Sequence, residues 1–79
     1  MLLVDVDKDA CIRITGFADG KGVESKLRQL GIIPGETIVV IRVAPLGGPL
    51  LLDVQGRTVA IGKGVASKIE VENIECDSS

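Results

Sequence analysis

The apolar residues of this chain are almost entirely aliphatic. They make up 46% of the 79 residues, yet Phe17 is the single aromatic side chain. A core of Ile, Val and Leu favours strands, because β-branched side chains fit a pleated, half-buried surface. A chain of this length buries roughly 60% of its unfolded surface, which suffices for one small domain. The sequence therefore predicts a single domain over residues 1–79 that is rich in β-structure.

Alternation of apolar and polar residues predicts short strands, and one change of period predicts a helix. The predicted strands are residues 11–15, 37–44, 50–54, 58–61 and 69–71. Val23, Leu27 and Leu30 recur at helical spacing, which indicates a short helix over residues 22–30. About five antiparallel strands with frequent turns and one short α-helix are typical of a small, mostly β barrel. We expect residues 73–79 to form a flexible tail.

The predicted strand over residues 37–44 is partly apolar on both faces. Strict alternation places Ile38, Val40 and Arg42 on one face and Val39, Ile41 and Val43 on the other. We therefore expect neighbouring elements to cover each side of this strand.

The cysteine and histidine content bears on metal binding and on location. The first residues lack the basic region and long apolar run of a signal peptide, so we expect a cytoplasmic, reduced protein. A transition-metal site needs clustered Cys, His or carboxylate ligands, and the chain has no His. We predict no metal site and no cofactor. Cys11 and Cys76 are predicted to be two unrelated free thiols, although closure of a barrel could bring the chain ends together.

Charge and residue types exclude two function classes. Ser25 and Ser67 have no His to activate them, so we predict that the chain is not an enzyme. The net charge is −2, and residues 13–68 carry eight basic and four acidic side chains, a balance of +4. This falls short of the basic stripe of a nucleic-acid binder, and aromatic faces for base stacking are missing. Binding to another protein remains as the predicted activity.

The predicted partner-binding residues lie in two places. Lys26 and Arg28 lie on the predicted helix, away from its apolar stripe. Leu46 lies at the tip of a loop between Pro45 and Pro49. An exposed Leu there would form a docking knob, because exposed apolar surface often marks a binding site. Alternatively, Leu46 folds back on the barrel.

Four stretches, taken together and in order, resemble the FeoA family. They are residues 27–40, 44–49, 54–56 and 66–71, and their most specific parts are an L-G-x-x-P-G junction and a P-x-G-G-P loop. The resemblance covers residues 10–72. Lys26, residues 61–64 and the Asp7–Lys8–Asp9 segment depart from the usual family pattern, so a partner surface there would be specific to a subgroup.

The resemblance implies a fold and a function. It implies an SH3-like barrel and a small bacterial accessory protein of ferrous iron uptake. The implied partner is FeoB, a membrane transporter of ferrous iron with a cytoplasmic GTP-binding domain; a homo-oligomer is also compatible. Two alternatives remain: a metal-sensing module that acts with a repressor, and a chaperone that binds iron directly.

Overall fold

The computed structural model describes residues 1–18 and 20–76 as one small sheet with short helices. The elements, in chain order, are a 3-10 helix (Leu3–Asp5), β1 (Cys11–Phe17), α1 (Gly20–Gln29), β2 (Thr37–Val43), β3 (Leu50–Val54), β4 (Arg57–Ile61), α2 (Lys63–Ala66) and β5 (Ile69–Ile74). The predicted mostly β class is confirmed, and so is the predicted short helix, which corresponds to α1.

The sheet is antiparallel throughout, and its strand order is β4-β3-β2-β1-β5. β4 and β5 lie at the two edges, and no pairing joins them within the described ranges, so the barrel is not strictly closed. The strands β1, β2 and β3 contribute fully buried side chains to the centre of the core: Ile12, Ile14, Ile38, Val40, Leu50 and Leu52. The aliphatic composition thus fills the interior as expected, with no polar side chain buried among the described residues.

Helix α1 terminates shortly before a glycine for a clear physical reason. Gly31 has φ +85°, a left-handed conformation that is unfavourable for residues with a Cβ and is readily adopted by glycine. The amide of Ile32 donates to Leu27 O at 3.0 Å, and that of Gly31 donates to Arg28 O at 3.0 Å. This pair of bonds is the Schellman motif, which satisfies the last carbonyls of the helix. Leu27 is buried, so α1 packs its apolar stripe on the core as predicted.

Strand β2 departs from the predicted alternation because it contains a bulge. Val40 pairs with Leu52, but the next pair is Arg42 with Leu51, which leaves Ile41 as an extra residue. A bulge of this kind reverses the facing of every residue that follows it. Arg42 is therefore exposed instead of sharing the buried face of Val40, and Val43 packs against the core. The expectation that neighbours cover both sides is also wrong, since Ile41 is exposed.

The last strand extends further than predicted, and the first residues of the chain also join the fold. β5 continues to Ile74, so residues 73 and 74 belong to a strand and not to a tail. Residues 77–79 of the predicted tail lie outside the described residues. At the other end, the amide of Val71 donates to Met1 O at 2.8 Å, and Leu3 is fully buried in the core. The domain therefore includes its first residues.

The predictions of two free thiols and of a reduced protein are both wrong. Cys11 and Cys76 form a disulfide whose Cα atoms are 5.2 Å apart, although 65 positions separate them in the chain. The antiparallel pairing of β1 with β5 places Cys11 opposite Ile74, and this register brings Cys76 to its side. The sequence alternative is right that the two cysteines come close, but they do so through the pairing of β1 with β5 and not through closure of the barrel. Over the described part of the chain, no helix is long and apolar enough to cross a membrane.

Candidate partner-binding site

The loop between β2 and β3 is a tight turn with an uncommon residue in it. The amide of Gly48 donates to Pro45 O at 3.1 Å, which closes a four-residue turn. Both central residues have positive φ, +56° at Leu46 and +81° at Gly47. This is the backbone pattern of a type I′ turn, in which Asn, Asp and Gly are usual. A leucine in this position is therefore a conformational exception.

The side chain of Leu46 makes the exception informative. It is fully exposed, so the alternative in which Leu46 folds back on the barrel is not what the structure shows. A left-handed conformation costs an L-residue about 1–2 kcal/mol, and burial within the domain does not offset that cost here. The strain and the exposure make Leu46 a candidate contact residue.

The base of the loop is closely packed. A Cβ placed on Gly48 would lie 2.7 Å from the Cβ of Ala44, which is closer than real side chains approach. The amide of Ala44 donates to Pro49 O at 3.2 Å and holds the two loop stems together. Glycine at position 48 is thus required by the close approach, and it fixes where the tip at Leu46 projects.

A groove runs beside this loop along the outer face of β2. We call it the β2 groove; its lining residues are Lys8, Ile41, Arg42, Val43, Pro45 and Leu51. Its volume is about 690 Å³, and it is open to solvent. Of the predicted partner-binding residues, only Pro45 lines it. Sequence alternation missed Ile41 and Arg42, because the bulge that turns Arg42 outward has no signature in the strand pattern.

The predicted cations of α1 lie elsewhere and differ from each other. Arg28 donates from Nη2 to Glu24 Oε1 at 2.9 Å, the surface pair expected at this spacing in a helix. Lys26 lines a smaller slot of about 210 Å³ between α1 and the β4–α2 corner. That α1 slot is lined by Lys26, Leu27, Leu30, Ala60, Ile61, Gly62 and Val65, and it shares no residue with the β2 groove. Pro49, the remaining predicted residue, is exposed at the stem of the loop. The predicted partner-binding residues thus lie in two separate places on the surface.

Metal ligands are not clustered at either place. Within residues 1–18 and 20–76, no group of three or more His, Cys, Asp and Glu side chains could hold a metal ion. Cys11 and Cys76 are joined to each other and offer no thiolate.

A family model of the FeoA domain matches residues 1–73. The chain belongs to the FeoA family. A relative named putative Fe(2+) transport protein A, from Methanocaldococcus jannaschii, is 39% identical over 56 residues, which are 71% of this chain and 66% of the relative. A Porphyromonas gingivalis fusion of Fe(2+) transport protein A with the Fe(2+) transporter FeoB is 32% identical over 62 residues. That match spans 77% of this chain but only 7% of the fusion protein.

Solved structures of the FeoA family share the fold. The solution structure of FeoA from Chlorobium tepidum superposes with a TM-score of 0.84 at 27% identity, covering 99% of this chain and 74% of that one. FeoA from Stenotrophomonas maltophilia, described as an SH3 domain protein and solved with zinc, superposes with a TM-score of 0.77 at 24% identity. Coverage there is 91% of this chain and 89% of the other. The SH3-like barrel implied by the resemblance is confirmed.

Proposed function

We propose that this FeoA-family chain is a non-catalytic accessory protein of ferrous iron uptake. It binds the cytoplasmic part of a FeoB-like membrane transporter. The fusion of the two modules into one chain in the Porphyromonas gingivalis relative is the observation that supports this proposal. Covalent linkage raises the effective concentration of one module at the other, which is useful when the two modules interact.

The proposed contact surface contains the loop tip and the exposed face of α1. Leu46, between Pro45 and Pro49, supplies an apolar anchor that is fully exposed in the monomer. Lys26 and Arg28 supply positive charge on α1, and Glu24 partly offsets the charge of Arg28. Rim charges of this kind mainly raise the rate of association, whereas an anchor sets the lifetime of the complex.

In this proposal the chain acts by binding alone. It has no His, and the hydroxyl of Ser67 donates to Gly64 O at 2.7 Å, an ordinary local contact near the end of α2. Ferrous iron is the cargo of the transporter, and the accessory chain needs no metal or cofactor to reach its partner.

Co-purification tests the proposal directly. A tagged form of the chain is expected to retain the transporter from detergent-solubilised membranes, and to bind the transporter's isolated cytoplasmic part. Capture of a DNA-binding repressor from the cytosol in place of the transporter would favour the regulatory alternative. Stoichiometric Fe²⁺ binding under anaerobic conditions would favour the chaperone alternative. Either result, without transporter binding, would contradict the accessory role.

A further inference from the structure

We infer that the β2 groove binds a partner segment in which carboxylates flank an apolar side chain. This inference rests on the proposed function, because the segment is assigned to the transporter's cytoplasmic part. It goes further in two ways. It names the chemistry of the contact, and it assigns the charges that determine affinity to Lys8 and Arg42 instead of to the cations of α1.

The floor of the groove is apolar and lies open to solvent. Among its lining residues, Ile41 is 37% exposed, Leu51 is half-buried and Pro45 is exposed. Leu46 follows Pro45 directly in the chain and is fully exposed at the loop tip. Contiguous apolar surface of this kind on a small domain marks a protein-binding site more often than isolated apolar residues do.

Among the residues that the structure describes, the groove holds the one arginine whose side chain has no partner. Arg13 pairs with Glu72 at 2.9 Å, Arg28 pairs with Glu24 at 2.9 Å, and Arg57 donates to Leu30 O at 3.1 Å. The side chain of Arg42 makes no ion pair or hydrogen bond with any residue in the described part of the chain, and the same holds for the side chain of Lys8. Two unpaired cations thus line one apolar groove.

Local backbone features place both cations there. The bulge at Ile41 turns Arg42 away from the core. Lys8 lies in a turn closed by the amide of Ala10, which donates to Asp7 O at 3.2 Å. The amide of Asp9 donates to Val40 O at 2.7 Å and fixes this turn against β2.

The neighbouring acids do not cancel these charges. Asp7 and Asp9 flank Lys8 in the chain, but neither carboxylate lines the groove or pairs with Lys8 or Arg42 within the described residues. The groove itself therefore presents positive charge beside apolar surface.

Charge and shape complementarity then define the occupant. A guanidinium binds a carboxylate through two parallel hydrogen bonds, and an ammonium binds one as a compact point charge. An apolar side chain between two carboxylates would cover Ile41 and Leu51 while its neighbours meet Arg42 and Lys8. A nucleic-acid backbone fits poorly, because two cations and no aromatic side chain offer neither a phosphate track nor a stacking platform.

The experiment measures affinity for the transporter's cytoplasmic part with charge-removing variants. The double variant Lys8→Gln, Arg42→Gln is expected to bind at least about tenfold more weakly than the parent, as for contacts between a charged pair at an interface. The Lys63→Gln variant removes a positive charge from α2, outside the groove, and should bind within about twofold of the parent. Circular dichroism checks that every variant is folded.

Two further measurements separate failure of this inference from failure of the proposed function. Parent-like affinity of the double variant would overturn the groove assignment and leave transporter binding intact. If the parent does not bind the transporter at all, a Glu-Leu-Glu peptide is the second probe. Adding this peptide should shift the amide NMR signals of the protein, with the largest changes at Ile41, Arg42 and Leu51. Changes centred elsewhere, or no changes, would overturn the assignment of the groove as the binding site. A parent dimer that the double variant loses would make a second copy the occupant, which overturns the partner assignment.

Discussion

Gly48 and Ala44 lie so close together that a Cβ on the glycine would be 2.7 Å from the Cβ of the alanine. The contact joins the two stems of the loop that carries Leu46. It shows that the glycine is needed for the close approach and not for an unusual dihedral angle, since its φ is not in the positive region.

Gly48→Ala should therefore destabilise the domain by about 1–3 kcal/mol, the usual effect of overpacking. Thermal unfolding measures the change. The second substitution Ala44→Gly removes the opposing Cβ and should restore part of the loss. As a control, Gly64→Ala in α2 meets no atom within 4 Å and should be neutral or slightly stabilising. Equal stability of Gly48→Ala and the parent would contradict the close packing.

Leu46→Asn should stabilise the domain by about 1 kcal/mol while it weakens partner binding. Asn accepts the left-handed conformation that strains Leu, but it removes the apolar anchor. Gln55→Asn is a matched control, because Gln55 has φ +54° in the turn between β3 and β4. That variant should change stability modestly and leave binding unchanged. If thermal unfolding finds Leu46→Asn less stable than the parent, the leucine is not strained.

Leu46→Ala should weaken binding to the transporter's cytoplasmic part more than Lys26→Ala does. Truncating an anchor commonly costs more than about 1 kcal/mol, while a rim charge often costs less. Affinities at two salt concentrations distinguish the roles, because only the effect of Lys26 should fade as salt rises. If both variants bind as the parent does, the partner surface lies elsewhere and the acidic chain ends are the next candidates.

Removal of the Cys11–Cys76 disulfide should lower stability substantially. The bond spans 65 positions, and closing a loop of that length contributes about 4 kcal/mol in the chain-entropy account. Cys76→Ser should unfold at a markedly lower temperature than the oxidised parent. Adding a reductant should destabilise the parent to a similar degree and leave Cys76→Ser unchanged. A parent that is insensitive to reductant would show that the bond does not constrain the unfolded chain.

Anaerobic titration with Fe²⁺ or Zn²⁺ should show no stoichiometric binding tighter than micromolar. The reason is chemical: the chain has no His, and its two thiols are joined to each other. The double variant Cys11→Ser, Cys76→Ser should give the same titration as the parent. Tight binding by the parent that the double variant loses would identify the cysteines as ligands.

Sequence reasoning located most of the elements because their signals are local. Leu27 and its neighbours at helical spacing predict α1, and Gly31 marks its end through its own conformational freedom. Alternation likewise predicts every strand to within three residues of its observed ends.

The errors concern relationships between distant residues. Cys11 and Cys76 come together only through the register of β1 with β5, and this register cannot be predicted from the sequence of either strand alone. Leu3 enters the core only because the start of the chain pairs along β5. In the candidate site, Leu46 was predictable from its loop, whereas Arg42 was not, since its outward direction depends on how β2 pairs with β3.

The bulge at Ile41 also separates the core residues of β2 from the surface charge on the same strand. In a regular strand, successive side chains point to opposite faces of the sheet. One residue therefore cannot move to the other face unless its neighbours, including those in the core, move as well. Here one surplus residue separates the half of β2 that holds Ile38 and Val40 from the half that presents Arg42. A substitution at position 42 can therefore change the surface charge of β2 and leave the packing of Ile38 and Val40 unaltered.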